Sequence, residues 1–194
     1  MVVLHGLGDS MDGWRWFPDE LNLPWLNYLL VNAPDDYFGG FSWFNLDGDI
    51  LPGVQRSRKL LFELLDDLRA QRWPAEQITL GGFSQGCLIS VDAGLRYPHR
   101  LAGIVGISGW ICEPEKLAQE LSPANRGQRL LLTHGTRDPL IPIDRVRPQV
   151  PLLRNAGLQV EWREFAKEHT VAGEAELSVI RNFVRAGYPD VVGK

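Results

Sequence analysis

Short, uninterrupted apolar segments alternate with amphipathic stretches along the whole of this 194-residue sequence. Residues 1–4 and 101–107 are wholly apolar, whereas the leucines between residues 60 and 68 recur at helical spacing with charged residues between them. Strands that are apolar throughout are buried on both faces, which is typical of a parallel sheet covered by helices. The alternation therefore predicts a three-layer α/β fold with a mostly parallel central sheet.

Turn residues and changes of periodicity divide the chain into individual elements. The predicted strands, about six in all, are residues 1–4, 28–31, 77–80, 101–107, 129–133 and 159–165. The predicted helices are residues 54–73, 84–97, 114–121, 144–156 and 173–186. A Pro- and Gly-rich connection at residues 32–53 is long enough to predict a functional loop. Because no linker or repeat interrupts the pattern, residues 1–194 are expected to form one domain without a separate cap.

The sequence GGFSQGC places Ser84 directly after a predicted strand. Ligands of open α/β sheets bind beyond the carboxyl ends of the strands, so residues that follow strands are candidates for a site. Gly82 and Gly86 flank Ser84 as G-x-S-x-G, in which small residues let neighbouring backbone pass close to a strained strand-to-helix turn. An ordinary Gly/Ser turn is the alternative. The strand before Ser84 and the helix after it favour a nucleophile.

A serine hydroxyl needs a general base, and that base needs a carboxylate to orient it. His169 comes after Ser84 and after an acid at a strand end. This is the chain order of serine, acid and histidine in catalytic triads built around G-x-S-x-G. Asp138 is the preferred acid because it follows a predicted strand directly. Asp144 is the rival, with an alternative role as a helix N-cap. Two further histidines are predicted not to be catalytic. His99 is expected on an exposed loop, and His134 is expected to make structural hydrogen bonds in its turn.

Acyl transfer also needs two preorganised N–H groups to hold an oxyanion. One comes from the residue after the nucleophile, which is Gln85 here. The turn HGLGDS follows the first strand, and Gly6 and Gly8 free its backbone to aim the N–H of Leu7 inward. We therefore expect Leu7 and Gln85 to form an oxyanion hole. The alternative is a turn selected for its shape alone.

Four motifs in this order resemble the phospholipase/carboxylesterase family, which includes acyl-protein thioesterases. They are HGLGDS after the first strand, GGFSQG around Ser84, HGTRDPLIP around Asp138, and His169 about thirty residues later. The resemblance covers nearly the whole chain and implies an α/β-hydrolase fold and a serine esterase mechanism without cofactor or metal. It implies that Ser84, Asp138 and His169 form the triad, and that Leu7 and Gln85 donate to the oxyanion.

Two positions next to the predicted triad depart from the family's pattern. Cys87 replaces the last glycine of the family's GFSQGG, and we expect a buried, inert thiol there rather than a reactive one. Glu168 replaces the glycine that usually precedes the base. Because a glycine gives backbone freedom, its loss predicts that the loop carrying His169 differs in geometry or mobility.

Aromatic residues are concentrated in the connection that follows the second strand. Phe41, Trp43 and Phe44, together with Trp110 after a later strand, are predicted to form an apolar wall that binds an acyl chain. A satellite core beneath the long connection is the alternative. The same aromatic segment could serve as a homodimer surface, since exposed apolar patches often mark interfaces.

Composition limits the partners of the protein. The formal net charge is -4, the pI is near 5.6, and the lysines and arginines are scattered, so the sequence predicts no basic surface that could bind a polyphosphate. Nucleic acid is therefore not expected as a partner. The two cysteines have neither metal-ligand nor disulfide spacing, which indicates a reducing compartment. No apolar run approaches the ~20 residues of a membrane span, so we expect a cytoplasmic protein without an integral membrane segment.

The sequence favours a serine carboxylesterase that hydrolyses small-molecule acyl esters of short or medium chain length through an acyl-enzyme. An apolar pocket discriminates chain length weakly, at about 1–3 kcal/mol per methylene, so nothing finer is predicted. Acyl-protein thioesterase or lysophospholipase activity is the alternative within this class. A non-catalytic binding protein on a hydrolase scaffold is disfavoured because all three triad residue types are present.

Overall fold

The central sheet has six strands, and all of them are parallel. A computed structural model describes residues 1–189. The strands of this sheet are β1 (Val2–Leu4), β2 (Leu29–Val31), β5 (Thr79–Phe83), β6 (Gly103–Ile107), β7 (Arg129–Gly135) and β8 (Gln159–Phe165), in the order β2-β1-β5-β6-β7-β8. The remaining strands, β3 (Asp35–Tyr37) and β4 (Gly40–Ser42), form a separate antiparallel hairpin. The predicted α/β class and the six-stranded sheet are confirmed.

Helices cover both faces of the sheet. They are α1 (Phe17–Leu21), α2 (Leu51–Ala70), α3 (Gln85–Arg96), α4 (Pro114–Gln119), α5 (Ile143–Val146), α6 (Gln149–Asn155) and α7 (Glu174–Arg185). Val3 packs in one hydrophobic cluster with α1 and α7, whereas Leu4 packs in a second cluster with α2, α3 and α6. Consecutive strand residues point to opposite faces, so two buried clusters give three layers. Within residues 1–189, no helix combines the length and apolar composition that a membrane crossing requires.

Strand β5 ends three residues later than the sequence predicts. Gly82 pairs with Gly106 of β6, and Phe83 pairs with Ile107, so the ladder continues through the glycines to the residue before Ser84. Glycine has a low strand propensity, but pairing with a central neighbour overrides that propensity. Strand β7 likewise continues to Gly135, which pairs with Phe165. The ends of both strands therefore reach the predicted site directly.

The predicted helix at residues 144–156 is interrupted. Two short helices, α5 and α6, replace it, and Pro148 stands at the start of the second. Proline has no N–H to donate and its ring obstructs the preceding turn, so a helix does not continue through it. The other predicted helices differ from the observed ones only at their ends, where boundaries are least defined.

The long connection at residues 32–53 contains the hairpin β3–β4, which the sequence did not reveal. Phe38 and Gly39 at its turn have φ angles of 45° and 89°, and two positive φ values give the turn a twist that suits a hairpin. The N–H of Gly8 donates to the carbonyl of Phe41 at 2.9 Å, and the N–H of Phe41 donates to Asp9 at 2.8 Å. The hairpin is therefore fixed to the turn that carries Leu7.

Candidate active site

Ser84 lies on a sharp turn between β5 and α3. Its φ and ψ angles are 54° and -116°, a conformation that strains any residue other than glycine. A Cβ at Gly82 would lie 2.2 Å from the carbonyl oxygen of Gly86, and a Cβ at Gly86 would lie 2.3 Å from that of Leu4. Only glycine fits at either position. The two glycines predicted from the motif therefore allow the turn to close against β1.

The structure brings Ser84, His169 and Asp138 into one hydrogen-bonded row. His169 Nδ1 lies 2.7 Å from Asp138 Oδ2, and His169 Nε2 lies 2.9 Å from Ser84 Oγ. An ionised carboxylate can only accept, so Nδ1 carries the proton and Nε2 is free to accept from the hydroxyl of Ser84. These contacts span 31 and 85 residues of sequence. The arrangement can deprotonate Ser84 as it attacks a carbonyl carbon.

Asp138 is held as a carboxylate by its surroundings. One of its oxygens accepts the N–H groups of Leu140 and Ile141, each at 2.9 Å. Burial favours the neutral acid, but the hydrogen bonds from Ile141 and His169 outweigh it and lower the pKa of Asp138. The rival acid Asp144 has an 86% exposed side chain and pairs with Arg147, away from His169. Asp138, and not Asp144, is therefore the carboxylate that the structure places beside His169.

Two other histidines are buried and structural. His5 Nδ1 donates to the carbonyl of Gly6 at 2.6 Å, while its Nε2 accepts the N–H of Ala33 at 3.0 Å. His134 donates from Nε2 to the carbonyl of Ile141 at 2.8 Å and stacks on Trp162. His5 thereby joins the ends of β1 and β2, and His134 fixes the segment that follows Asp138.

Acidification is expected to destabilise the protein from about pH 6.5 downward. Burial lowers the pKa of both His5 and His134 from the ordinary value of 6.5, so the unfolded chain binds their protons first. The stability they contribute is complete above about pH 6.5 and is lost toward their lower folded-state values, by up to ~1.4 kcal/mol per pH unit for each histidine. Urea unfolding at pH 7.5 and pH 5 measures the loss.

Two variants separate the histidines in that measurement. His5→Gln is expected to make the pH dependence shallower, because the variant no longer gains a proton on unfolding at this site. His134→Gln is expected to have the same effect, because burial lowers the pKa of that histidine too. A free energy of unfolding that stays constant between the two pH values would contradict the expectation.

The predicted oxyanion donors both face the site. Gln85 is the first residue of α3, so its N–H has no acceptor within the helix. Leu7 lines the same cavity as Ser84, in a turn whose flanking residue Gly8 has a φ of 76°. Within residues 1–189, the N–H of Leu7 has no recorded acceptor. Two N–H groups whose residues line one cavity with Ser84 are what an oxyanion at that position would require.

The side chain of Gln85 has a structural role that sequence reasoning missed. Its amide oxygen accepts the N–H of Trp43 at 3.0 Å and the hydroxyl of Ser42 at 3.3 Å. Its amide nitrogen donates to the carbonyl of Phe44 at 2.9 Å. Gln85 is 1% exposed, so these bonds fix the segment after β4 onto the start of α3. The same residue thus anchors the loop and presents its backbone N–H.

A largely apolar cavity of about 770 Å³ opens over Ser84. This volume lies within the ~300–1,000 Å³ range of small-molecule sites. Trp110, which was predicted as a wall residue, lines it. Leu46, Leu140 and Ile141 also line it, although the sequence did not single them out. Leu140 and Ile141 follow Asp138 in HGTRDPLIP, so proximity to the acid was the signal that could have identified them.

Trp43 and Phe44 do not line that cavity, which corrects their predicted role. They are 3% and 0% exposed and belong to the main hydrophobic cluster between the sheet and α2 and α3, rather than to a cavity wall or a separate satellite core. The Nε1–H of Trp43 donates to the carbonyl of His5, and Phe44 packs edge-on against Trp110 at 6.2 Å. Phe41 is also absent from the lining and packs near His5. Phe44 therefore supports Trp110 of the cavity wall from the core.

The side chain of Cys87 occupies space next to Gly106 of β6 and Gly109 of the loop that follows β6. A Cβ at Gly106 would lie 2.6 Å from Cys87 Sγ, and a Cβ at Gly109 would lie 2.5 Å from it. Burial raises the pKa of the Cys87 thiol to about 12. A thiolate is the reactive form of cysteine, so this environment suppresses reactivity.

Neither cysteine is expected to react with Ellman's reagent in the folded protein. Cys87 is 1% exposed and Cys112 is 8% exposed, and burial raises the pKa of both thiols. At pH 8 the native protein should release almost no thionitrobenzoate, and both thiols should titrate after guanidinium unfolding. Rapid reaction of one thiol without unfolding would show that the packing around α3 opens.

The loop that carries His169 is fixed at several points despite Glu168 in place of glycine. The carbonyl of Lys167 accepts the N–H of Arg137 at 3.1 Å. A Cβ at Gly135 would lie 2.4 Å from that same carbonyl oxygen, so the loop packs tightly on the end of β7. Glu168 itself is exposed, and its carbonyl accepts the N–H of Thr170 at 2.9 Å.

A buried ion pair between Lys167 and Glu176 fixes this loop to α7, and no sequence pattern predicted it. The ammonium of Lys167 donates to both oxygens of Glu176 at 2.6 and 2.7 Å. The two side chains are 3% and 0% exposed. Glu176 also accepts the N–H of Ala172 at 2.7 Å. The carboxylate, held on α7, therefore joins the residues on either side of His169.

Known proteins resemble this chain in sequence and in structure. A family model described as phospholipase/carboxylesterase matches residues 1–187. Acyl-protein thioesterase 1 of Schizosaccharomyces pombe is 36% identical over 155 residues, covering 73% of this chain and 69% of that protein. The crystal structure of esterase PE8 has a TM-score of 0.82 at 30% identity, covering 95% of this chain and 90% of that one.

A further solved structure supports the fold alone. Arabidopsis thaliana SOBER1 has a TM-score of 0.88 at 22% identity, and the alignment covers 96% of this chain and 97% of that one. The predicted α/β-hydrolase fold is therefore confirmed by overall shape as well as by the strand order of the central sheet.

Proposed function

Because this chain belongs to the phospholipase/carboxylesterase family of α/β-hydrolases, we propose that it is a serine hydrolase acting on acyl thioesters and esters. The observation that carries the proposal is the hydrogen-bonded row of Ser84, His169 and Asp138. In this proposal Ser84 is the nucleophile, His169 is the general base and then the acid, and Asp138 orients His169.

The proposed reaction proceeds in two halves. Ser84 Oγ attacks the acyl carbonyl carbon while His169 Nε2 takes the hydroxyl proton, and the N–H groups of Leu7 and Gln85 stabilise the resulting oxyanion. The tetrahedral intermediate then expels the thiolate or alkoxide, which receives the proton from His169. Water repeats the attack on the acyl-enzyme, releasing the carboxylic acid and restoring Ser84.

Thioesters of medium or long acyl chains are the proposed preferred substrates. The relatives named acyl-protein thioesterase 1 support this alternative more than the carboxylesterase for short or medium acyl chains that the sequence favoured. The apolar cavity over Ser84, lined by Trp110, Leu140 and Ile141, is consistent with an acyl chain. Cys87 and Cys112 are both free, which fits the reducing, cytoplasmic setting proposed for the protein.

A pair of matched peptides tests this preference. One carries an S-palmitoyl cysteine and the other an O-palmitoyl serine at the same position, so only the scissile atom differs. We expect a higher kcat/KM for the thioester, together with measurable hydrolysis of p-nitrophenyl octanoate. Equal rates, or a preference for the oxygen ester, would favour the carboxylesterase instead.

Covalent labelling tests the reaction class separately from the substrate. A fluorophosphonate probe should form one adduct, and peptide mapping should locate it on Ser84. If the folded protein neither binds the probe nor hydrolyses any of these acyl compounds, the hydrolase proposal fails. A non-catalytic binding protein on the same scaffold would then be favoured.

A further inference from the structure

A second cavity of about 570 Å³ adjoins the candidate base, His169. It shares Asp9, Phe83 and His169 with the cavity over Ser84. Ser84 lines the first cavity but is not among the residues of the second. The second cavity therefore adjoins the proton donor of the proposed reaction rather than its nucleophile.

This position is the one that a leaving group must occupy. In serine acyl transfer, the base that deprotonates the nucleophile later protonates the departing atom, so the leaving group lies beside it. With an acyl chain in the apolar cavity over Ser84, the other half of the substrate extends past His169. The second cavity begins at His169 and is open to solvent at Trp16, which is 39% exposed.

The walls of the second cavity are aromatic along one side. The ring centroids of Trp16 and Trp14 are 5.6 Å apart, those of Trp14 and Phe83 are 5.8 Å apart, and those of Phe83 and His169 are 4.8 Å apart. The row leads from the solvent edge to the candidate base without interruption. Aromatic faces attract cations through the ring quadrupole, and tryptophan does so most strongly.

The charges around this cavity are negative. Asp9 and Glu20 line it, and none of its recorded lining residues is a lysine or an arginine. The guanidinium of Arg181 on α7 is paired with Glu174 at 2.8 Å and donates to the backbone carbonyl of Glu20 at 3.0 Å, and Arg181 is not among the residues that line the cavity. Within residues 1–189, Glu20 has no recorded ion pair. Two carboxylates beside a row of tilted aromatic rings are groups of the kind that bind an alkylammonium ion.

We propose that this cavity binds the leaving group of the substrate and selects one that carries an alkylammonium charge. The inference rests on the proposed function, because it assigns the alcohol or thiol side of the same reaction. The leaving group could be a small amino alcohol, or a thiol next to lysine side chains in a peptide; the shared chemistry is the ammonium group.

Two esters that differ in a single atom test the selection. Butyrylcholine and 3,3-dimethylbutyl butyrate have the same acyl group and shape, but carbon replaces the quaternary nitrogen in the second. We expect kcat/KM to be about tenfold higher for the choline ester at low ionic strength, with the advantage shrinking in 0.5 M salt. Equal values, or a preference for the neutral ester, would overturn the proposal.

Substitutions in the cavity locate the effect. Glu20→Gln and Trp16→Leu should each lower the ratio of the two kcat/KM values to about twofold, because each removes one source of cation attraction. Glu115→Gln on α4 removes the same charge from an exposed position elsewhere and should leave the ratio unchanged. A ratio that responds equally to Glu115→Gln and Glu20→Gln would assign the preference to net charge and overturn the cavity proposal.

A binding measurement separates this proposal from that of the reaction itself. In the Ser84→Ala variant, titration with choline should give a saturable change in tryptophan fluorescence, and 3,3-dimethylbutanol should give none at the same concentrations. Glu20→Gln in that background should weaken choline binding about fivefold. If no ester is hydrolysed but choline binds in this way, only the proposed function fails. If esters are hydrolysed but choline does not bind, only the cavity proposal fails.

Discussion

Ser84→Ala is expected to lower kcat for an acyl ester or thioester by on the order of 10⁶ while leaving the fold intact. Alanine has no hydroxyl, so no acyl-enzyme can form, and the proposed oxyanion donors, Leu7 and Gln85, would supply only a small residual rate. The 2.9 Å hydrogen bond from Ser84 to His169 is lost, which lowers the free energy of unfolding by no more than about 1 kcal/mol.

The measurement combines steady-state kinetics with urea unfolding of the same preparation. Ser178→Ala is the matched control, because the hydroxyl of Ser178 on α7 makes an exposed hydrogen bond to the carbonyl of Ala175 in the same helix. The activity of this variant should equal that of the native protein. The backbone strain at Ser84 is the same for serine and alanine, so relief of strain does not complicate the comparison. A Ser84→Ala enzyme with a tenth of the native rate would exclude Ser84 as the nucleophile.

Glu176→Ala is expected to destabilise the protein by about 3–5 kcal/mol, the usual result of removing one partner from a buried ion pair. The substitution leaves the Lys167 ammonium, 3% exposed, without its carboxylate, and the N–H of Ala172 without its acceptor. Burial already lowers the pKa of Lys167 against the opposing effect of Glu176. Urea unfolding at pH 7.5 measures the change.

The double substitution Lys167→Met with Glu176→Gln is the control for the effect of leaving one buried charge unpaired. It removes both charges, and the amide oxygen of glutamine can still accept from Ala172, so we expect stability within ~1–2 kcal/mol of the native protein. If the double variant is as unstable as Glu176→Ala, the buried pair is not the source of the loss. Because the pair fixes the loop of His169, Glu176→Ala should also lower kcat more than it changes KM.

The architecture could be predicted because it is encoded in local periodicity. Wholly apolar runs gave the parallel sheet, and leucines at helical spacing gave α2. The hairpin β3–β4 escaped prediction because its strands are three residues long and contain Asp35 and Asp36. The continuation of β5 through Gly82 escaped because glycines carry no strand signal, although pairing with β6 requires them to be extended.

The candidate triad was predictable for a different reason. Ser84, Asp138 and His169 each follow a strand or precede a helix in an order that the chemistry restricts, so spacing along the chain was informative. The predicted role of Trp43 and Phe44 in a cavity wall was wrong because a hydrophobic residue in a long connection can face either a cavity or the core. Their burial depends on Gln85, which binds the connection through three backbone and side-chain partners.

The sequence by itself determined the fold class, the strained turn at Ser84 and the identity of its partners, because these depend on residue types at local positions. The tertiary structure alone decided which groups surround them. The Lys167–Glu176 pair, the role of Leu140 and Ile141 in the cavity wall, and the aromatic row beside His169 join residues from separate elements. Their energies depend on distance and burial, and neither quantity exists until the helices have packed on the sheet.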